Sequence, residues 1–423
     1  MPDFSQRPTV VMKFGGTSVA DAERIKNAAR RIVAAHEAGN HVVAVLSARG
    51  KTTDELIASA EEVSPNPEPR ELDMLLSTGE RISCALCAMA INDLGHKAIS
   101  LTGSQAGIVT DTSHTKAHIL DVRADRIRAG LAEDMIVLVA GFQGVSTSRD
   151  ITTLGRGGSD TTAVALAAAI DAEVCEIYTD VSGVFSADPR IVPNARKLPF
   201  VSFEEMMEMA ASGAKVLQLR SVEYARTHGV KIHCRSSFEE SPGTLIVGED
   251  QTMEHPLITA VTHSTDEARV TLIGVPDRPG AAAAIFKVLA DAECNLDTII
   301  QNDPATDGAA AELSFTLAGE DLRAAQEALA PLIDEYKMTL QTDSQIGKVS
   351  IVGAGMRSHP GVSWKVFQTL ADEGINIQMI TTSPIKISCV VRAEKVPQAV
   401  RALHAAFELG GPGPEVRFGE EAR

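Results

Sequence analysis

The sequence predicts an α/β protein: a largely parallel sheet covered by helices on both faces, followed by two copies of a small βαββαβ unit. Two observations point there. Up to about residue 248, short β-branched runs (41–46, 135–140 and 174–178) alternate with Ala-rich helical segments, the pattern of strands buried between helix layers. Beyond that point the chain repeats itself. Pro279 and Pro360, Phe286 and Phe367, Asp291 and Asp372, and Asn295 and Asn376 each stand 81 residues apart. One register held through strand, turn, helix and following strand indicates a duplicated unit.

Composition narrows the function. The 423 residues are 44% hydrophobic, enough for two or three cored domains. A net charge of -17 argues against a nucleic-acid or anionic-membrane partner, because both reward basic surface. Residues 1–8 lack a signal pattern, and the Ala-rich stretch 161–170 is too short to span a bilayer, so a cytoplasmic location is expected. Among six scattered cysteines only Cys84 and Cys87 are close, in a segment that reads as a reduced, buried helix. His114 and His118 lack the glutamate of a zinc motif and read as two surface histidines.

Taken in order, the first informative element is Val10-Val-Met-Lys13-Phe-Gly15-Gly16-Thr-Ser18. A strand would deliver the Lys13 ammonium to its carboxyl end. Gly15 and Gly16 offer unhindered N–H groups and unusual backbone angles, and Thr17 and Ser18 are expected to cap the next helix. Ser47-Ala-Arg-Gly-Lys-Thr-Thr53 follows a strand; its Gly-Lys-Thr ending lacks the earlier glycine of a P-loop. Leu76-Ser-Thr-Gly-Glu80-Arg sets a carboxylate after a glycine. Thr153-Leu-Gly-Arg156-Gly-Gly-Ser159-Asp160-Thr-Thr offers a guanidinium for a carboxylate or phosphate and an acid able to orient a lysine. Tyr178-Thr179-Asp180-Val-Ser-Gly-Val-Phe185-Ser-Ala-Asp188-Pro-Arg190 reads as a nucleotide-enclosing loop, and Gly213-Ala-Lys215 supplies a second phosphate lysine. Segment 248–255 is a polar linker. Gly353-Ala-Gly355 imitates a dinucleotide fingerprint, but Ser358 replaces its last glycine.

Together these motifs resemble the aspartate kinases, of the amino-acid kinase fold, and the repeats resemble ACT regulatory domains, so the likeness covers nearly the whole chain. The resemblance implies transfer of the ATP γ-phosphoryl group to L-aspartate, with ATP and Mg as cofactors. It places Lys13 and Asp160 in catalysis and Ser47, Thr53, Glu80, Arg156 and Ser159 around the substrate. Lys13, Gly15, Gly16, Thr179, Asp180, Phe185, Asp188, Arg190 and Lys215 would hold ATP. It implies lysine and/or threonine as effectors at Asp277, Gly280, Asn295, Asp297 and Gln301 in the first unit, with Met356, Gly361 and Asn376 in the second. It further implies a homo-oligomer, or a hetero-oligomer with a shorter regulatory subunit begun at Met253. Expected boundaries are 1–248 for the catalytic domain, 249–256 for the linker, 266–344 for the first ACT domain, and 257–265 plus 345–423 for the second. Three residues depart from the family pattern. Arg49 is expected either to alter the pocket mouth or to point to solvent, Phe185 replaces a frequent tyrosine, and Pro384 removes a backbone donor in the second unit. A kinase of another amino acid and a non-catalytic amino-acid sensor are the competing readings.

Overall fold

The computed structural model describes residues 7–248, 257–302 and 311–411. Met253, the expected linker and the last residues of the second unit lie outside them.

The amino-terminal part contains strands β1 (Thr9–Phe14), β2 (His41–Leu46), β3 (Ala98–Leu101), β4 (Ile108–Thr110), β5 (Ile119–Val122), β6 (Ile136–Ala140), β7 (Gln143–Ser146), β8 (Ile151–Thr153), β9 (Val174–Thr179), β10 (Phe200–Ser202), β11 (Ile232–Ser236) and β12 (Thr244–Val247). Its helices are α1 (Ala22–Glu37), α2 (Thr52–Val63), α3 (Pro69–Leu76), α4 (Thr78–Asp93), α5 (Asp125–Ala132), α6 (Gly158–Ala169), α7 (Phe203–Ala211) and α8 (Leu219–His228). Eight strands form one sheet in the order β10-β12-β11-β9-β1-β2-β6-β3. Only the β11–β12 pair is antiparallel.

Side chains alternate across the central strands and so feed two cores. Val11, Val43 and Val45 pack with α6 on one face. Met12, Phe14, Ala44 and Leu46 pack with α1 and α4 on the other. Helix α6 is buried from Gly158 to Ala167, and its mostly small residues let it pack closely between the sheet and α8. Cys84 and Cys87 lie buried in α4 with free thiols, as expected. One apolar stretch, 69–93, has the length and hydropathy of a membrane span, but it comprises α3 and α4 and half of it is buried in the fold.

The helix after β1 starts differently from the expectation. Asp21, not Thr17 or Ser18, caps α1, its carboxylate accepting the Arg24 N–H at 2.9 Å. Thr17 and Ser18 instead lie in a 3-10 turn, where Ser18 Oγ meets Ser237 Oγ at 2.5 Å.

The carboxyl-terminal part comprises β13 (Ala260–Val275), α9 (Ala281–Asp291), β14 (Leu296–Asn302), β15 (Ala311–Ala318), α10 (Leu322–Tyr336), β16 (Thr339–Val352), α11 (Val362–Asp372), β17 (Met379–Ser383), β18 (Lys386–Arg392) and α12 (Val396–Ala406). The repeat is visible in the helices, α9 and α11 being offset by the expected 81 residues. Each follows a left-handed glycine, Gly280 at φ 96° and Gly361 at φ 101°. An added Cβ would meet nothing within 4 Å at either position, so the backbone angle alone calls for glycine.

The two units share one antiparallel sheet, β14-β15-β13-β16-β18-β17. The expected divisions after 265 and 344 fall inside single strands, β13 and β16. Residues 260–264 of β13 pair with 348–352, and beyond irregularities at Ser264–Arg269 the same strand pairs with 339–343. Pro384, itself exposed, occupies the two-residue turn between β17 and β18, where no ladder donor is needed.

Candidate active site

The expected site residues gather where β1, β2 and β9 end and α6 begins, the crevice in which parallel sheets bind ligands. Lys13 is the penultimate residue of β1, paired with Val45 on one side and Ile177 on the other. Its Nζ lies 2.6 Å from Asp160 Oδ1 in the first turn of α6, and both side chains are nearly buried. The helix amino terminus adds positive potential from its unpaired amides.

Gly15 and Gly16 act differently from each other and from the expectation. Neither adopts a positive φ. The Gly15 N–H donates to Tyr178 O at 3.2 Å, so that amide is engaged and does not face an anion. Gly16 is required by close approach. A Cβ there would stand 2.9 Å from Ala48 O, because the loop after β2 folds onto it and Gly50 N–H donates to Gly16 O at 3.0 Å. Among the described residues the Gly16 amide has no hydrogen-bond acceptor.

Among the described residues, Glu80 is the carboxylate whose pKa is raised furthest. It sits in the first turn of α4, 3% exposed, with Oε1 accepting the Ala48 N–H at 3.1 Å. Its Oε2 is buried without a partner. Burial raises its pKa from 4.5 to about 7, against the opposing pull of the Ala48 amide and Arg81. Gly79 lets α4 start this close to the β2 loop, since a Cβ would lie 2.8 Å from Ala48 Cβ. Ser47 and Thr53 are half-buried on that loop and on α2. Ser159 is buried against Gly141 at the end of β6. Arg156 is 92% exposed, its guanidinium 3.8 Å from Asp54 of α2, so it spans the entrance. Arg49 turns back to donate to Ala20 O at 3.3 Å rather than lining the mouth or pointing to solvent.

Most nucleotide candidates line a second cavity of about 680 Å3. Asp180, Phe185, Asp188, Arg190 and Lys215 all contribute to it, and Thr179 is at the adjoining end of β9. Two of its charges are paired within the protein. Arg190 chelates Asp188, Nη2 to Oδ2 at 2.7 Å, and this holds the carboxyl below its usual range. Lys215 Nζ lies 2.8 Å from Asp266. Residues 261–266 of β13 also line it, a segment the sequence had divided between the two regulatory units, 257–265 in the second and 266 in the first. Nothing local marks that role; it arises from packing of distant segments.

A supporting network was also invisible in the sequence. Asp73, wholly buried in α3, accepts from Thr153 Oγ1 at 2.5 Å and pairs with His114 Nδ1 at 2.7 Å. His114 is therefore an anchored histidine beneath the site, whereas His118 is indeed exposed, beside Asp111.

The effector candidates Asp277, Gly280, Asn295, Asp297 and Gln301 are exposed around the ends of β13, α9 and β14. Asp297 Oδ2 lies 2.6 Å from Nζ of Lys348, a buried lysine that Glu267 Oε1 also holds at 2.6 Å. In the second unit, Gly361 is exposed and Met356 packs against the apolar core. Asn376 lines a cavity of about 640 Å3 in which Arg269 and Arg392 both approach Asp343.

This architecture and rim define a phosphoryl-transferring kinase of small acids with an attached regulatory sheet. The amino acid kinase family model matches residues 8–236, and ACT domain models match 269–334 and 349–407. The chain is 55% identical over 418 residues to the aspartokinase of Mycolicibacterium smegmatis, covering 98% of this chain and 99% of that relative. It is similar to the crystal structure of E. coli aspartokinase III in complex with aspartate and ADP (R-state), with a TM-score of 0.81 at 26% identity over 94% of this chain and 99% of that one. Against the same enzyme with lysine and aspartate (T-state) the TM-score is 0.71 at 26% identity, with the same coverage. The chain belongs to the amino acid kinase family, on its aspartokinase branch.

Proposed function

We propose that the chain transfers the γ-phosphoryl group of ATP to the β-carboxylate of L-aspartate, giving 4-phospho-L-aspartate, under feedback control through its ACT units. Two features at the strand ends support this most directly: a buried cation, Lys13, held by Asp160, and a buried carboxylate oxygen, Glu80 Oε2, that has no partner. The attacking carboxylate is already ionised near neutral pH, so no general base is required. The chemical demand is to align two anions and neutralise their repulsion. Lys13 supplies charge to the transferring group, and Asp160 is a positioning residue that holds the ammonium in place. Glu80 Oε2 receives the substrate ammonium, and Arg156 swings from Asp54 to the substrate α-carboxylate. Ser47, Thr53 and Ser159 line that pocket.

Among the described residues no three His, Cys, Asp or Glu side chains cluster as a metal cage. Mg therefore fits as an ion carried by the nucleotide phosphates, with Asp180 as the available carboxylate at the cleft. It would offset phosphate charge when bound. Arg190 and Lys215 exchange their carboxylate partners for phosphate oxygens.

Formation of aspartyl hydroxamate from ATP, Mg, L-aspartate and hydroxylamine tests the activity. No hydroxamate would eliminate it. Arg156→Ala is expected to raise the L-aspartate KM about tenfold or more while leaving the ATP KM near normal, since a charge-assisted bond to the substrate is lost. An unchanged L-aspartate KM contradicts the clamp.

The first ACT unit is the effector site for lysine, threonine or both. Asp297→Ala is expected to blunt inhibition with basal rate preserved, because Glu267 still neutralises Lys348. Undiminished inhibition moves the effector elsewhere. A homo-oligomer is supported by Ile273, Ile299 and Ile380, which stay partly exposed on strands of the regulatory sheet. The greater likeness to the R-state relative supports reading this arrangement as the active one. A cytoplasmic setting accords with the six free cysteines.

A further inference from the structure

The nucleotide-loop candidate has a buried polar knot on its outer side. Ser186, wholly buried, stands between the cleft-lining residues Phe185 and Asp188. Its Oγ accepts the Arg196 N–H at 2.9 Å, lies 3.0 Å from Leu409 O, and lies 3.0 Å from His404 Nε2. Its backbone oxygen accepts the Val261 N–H from β13 at 2.8 Å. His404 is on α12, 2% exposed, and Leu409 follows that helix.

A serine hydroxyl has one proton to give and can accept two. Leu409 O can only accept, so it takes that proton; the Arg196 amide fills one acceptor position. His404 must then donate from Nε2–H, and every position around Ser186 Oγ is used. Burial and nearby Arg196 lower the His404 pKa, which keeps the ring in this neutral form near pH 7. Such a saturated buried knot tolerates no half-made state, because each freed group would be left without water.

We propose that Ser186 and His404 are positioning residues for nucleotide binding, through which the second regulatory unit sets the loop that encloses ATP. This rests on reading 180–190 as the nucleotide loop. The loop cannot shift without breaking bonds to α12, to the segment after it, or to β13. By linkage, a nucleotide that orders the loop must also tighten the far side of the knot.

Hydrogen exchange on the intact wild-type chain, with and without ADP, tests this. The expected result is slower exchange at 183–188 and at 404–411 together. Protection at 183–188 with none at 404–411 overturns the proposal. No protection at 183–188 overturns the nucleotide-loop reading and the proposal with it. Variants give an independent arm. His404→Leu should raise the ATP KM roughly five- to tenfold, the effect of one buried hydrogen bond, with the L-aspartate KM unchanged. His404→Gln, which keeps an N–H donor, should restore most of it. Equal changes in both KM values, or no rescue, would mark a purely structural histidine and contradict the assignment.

Discussion

Lys13→Ala is expected to lower kcat by roughly 10³-fold, with a much smaller change in either KM. The substitution acts twice. It removes the ammonium from the end of β1, and it uncovers the Asp160 carboxylate 2.6 Å away in a nearly dry site. An unpaired buried carboxylate at that point repels the very phosphates the lysine attracted. The double variant Lys13→Ala/Asp160→Asn should therefore be more active than Lys13→Ala alone, a non-additivity expected of groups that act as a pair. Steady-state kinetics of the three proteins checks this. A near-normal kcat for Lys13→Ala would remove the lysine from the transfer step.

Glu80→Gln is expected to raise the L-aspartate KM by about 100-fold, since a charged hydrogen bond in a buried pocket is worth more than a neutral one. The same residue predicts a pH dependence. With a pKa of about 7 in the free protein, Glu80 is protonated below that pH and cannot pair with an ammonium. The L-aspartate KM should rise as pH falls below about 7 and level off above it, and Glu80→Gln should flatten the profile. A KM independent of pH between 6 and 8 contradicts the assignment. Stability moves the other way. The folded pKa lies above the usual 4.5, so the contribution of Glu80 is complete below about pH 4.5 and lost as pH rises through about 7. The difference is roughly 3 kcal/mol. Glu80→Gln should therefore be the more stable protein at pH 8, which separates loss of binding from loss of fold.

Strand-end chemistry was legible because it is local. Lys13 and Glu80 stand near Gly16 and Gly79, glycines that close approach to the β2 loop requires, and the 81-residue register survives in α9 and α11. What escaped depends on contacts between distant segments. Ser264 and Asp266, both common turn residues, suggest a break at 264–267, so nothing in the sequence says that β13 runs on from one unit into the next. The wall that β13 gives to the nucleotide cleft and the knot at Ser186 follow from that continuity. Glu205 is another case. It completes the cap of α7, and its Oε1 also accepts from Thr259 Oγ1 at 2.6 Å and from the Ala354 N–H at 3.1 Å, fastening the second regulatory unit to the kinase part. The choice of Asp21 over Thr17 and Ser18 as the α1 cap failed for a different reason: three good caps lie within five residues, and propensity cannot rank them.

A structure of the protein with ADP and L-aspartate bound tests the central claim most directly, that cations and open amides hold two repelling acids in line at one rim. The account predicts Lys13 Nζ within about 3 Å of a terminal phosphate oxygen and Glu80 Oε2 on the substrate ammonium. Lys13 turned from the phosphates, with Glu80 Oε2 still unpartnered, would contradict it.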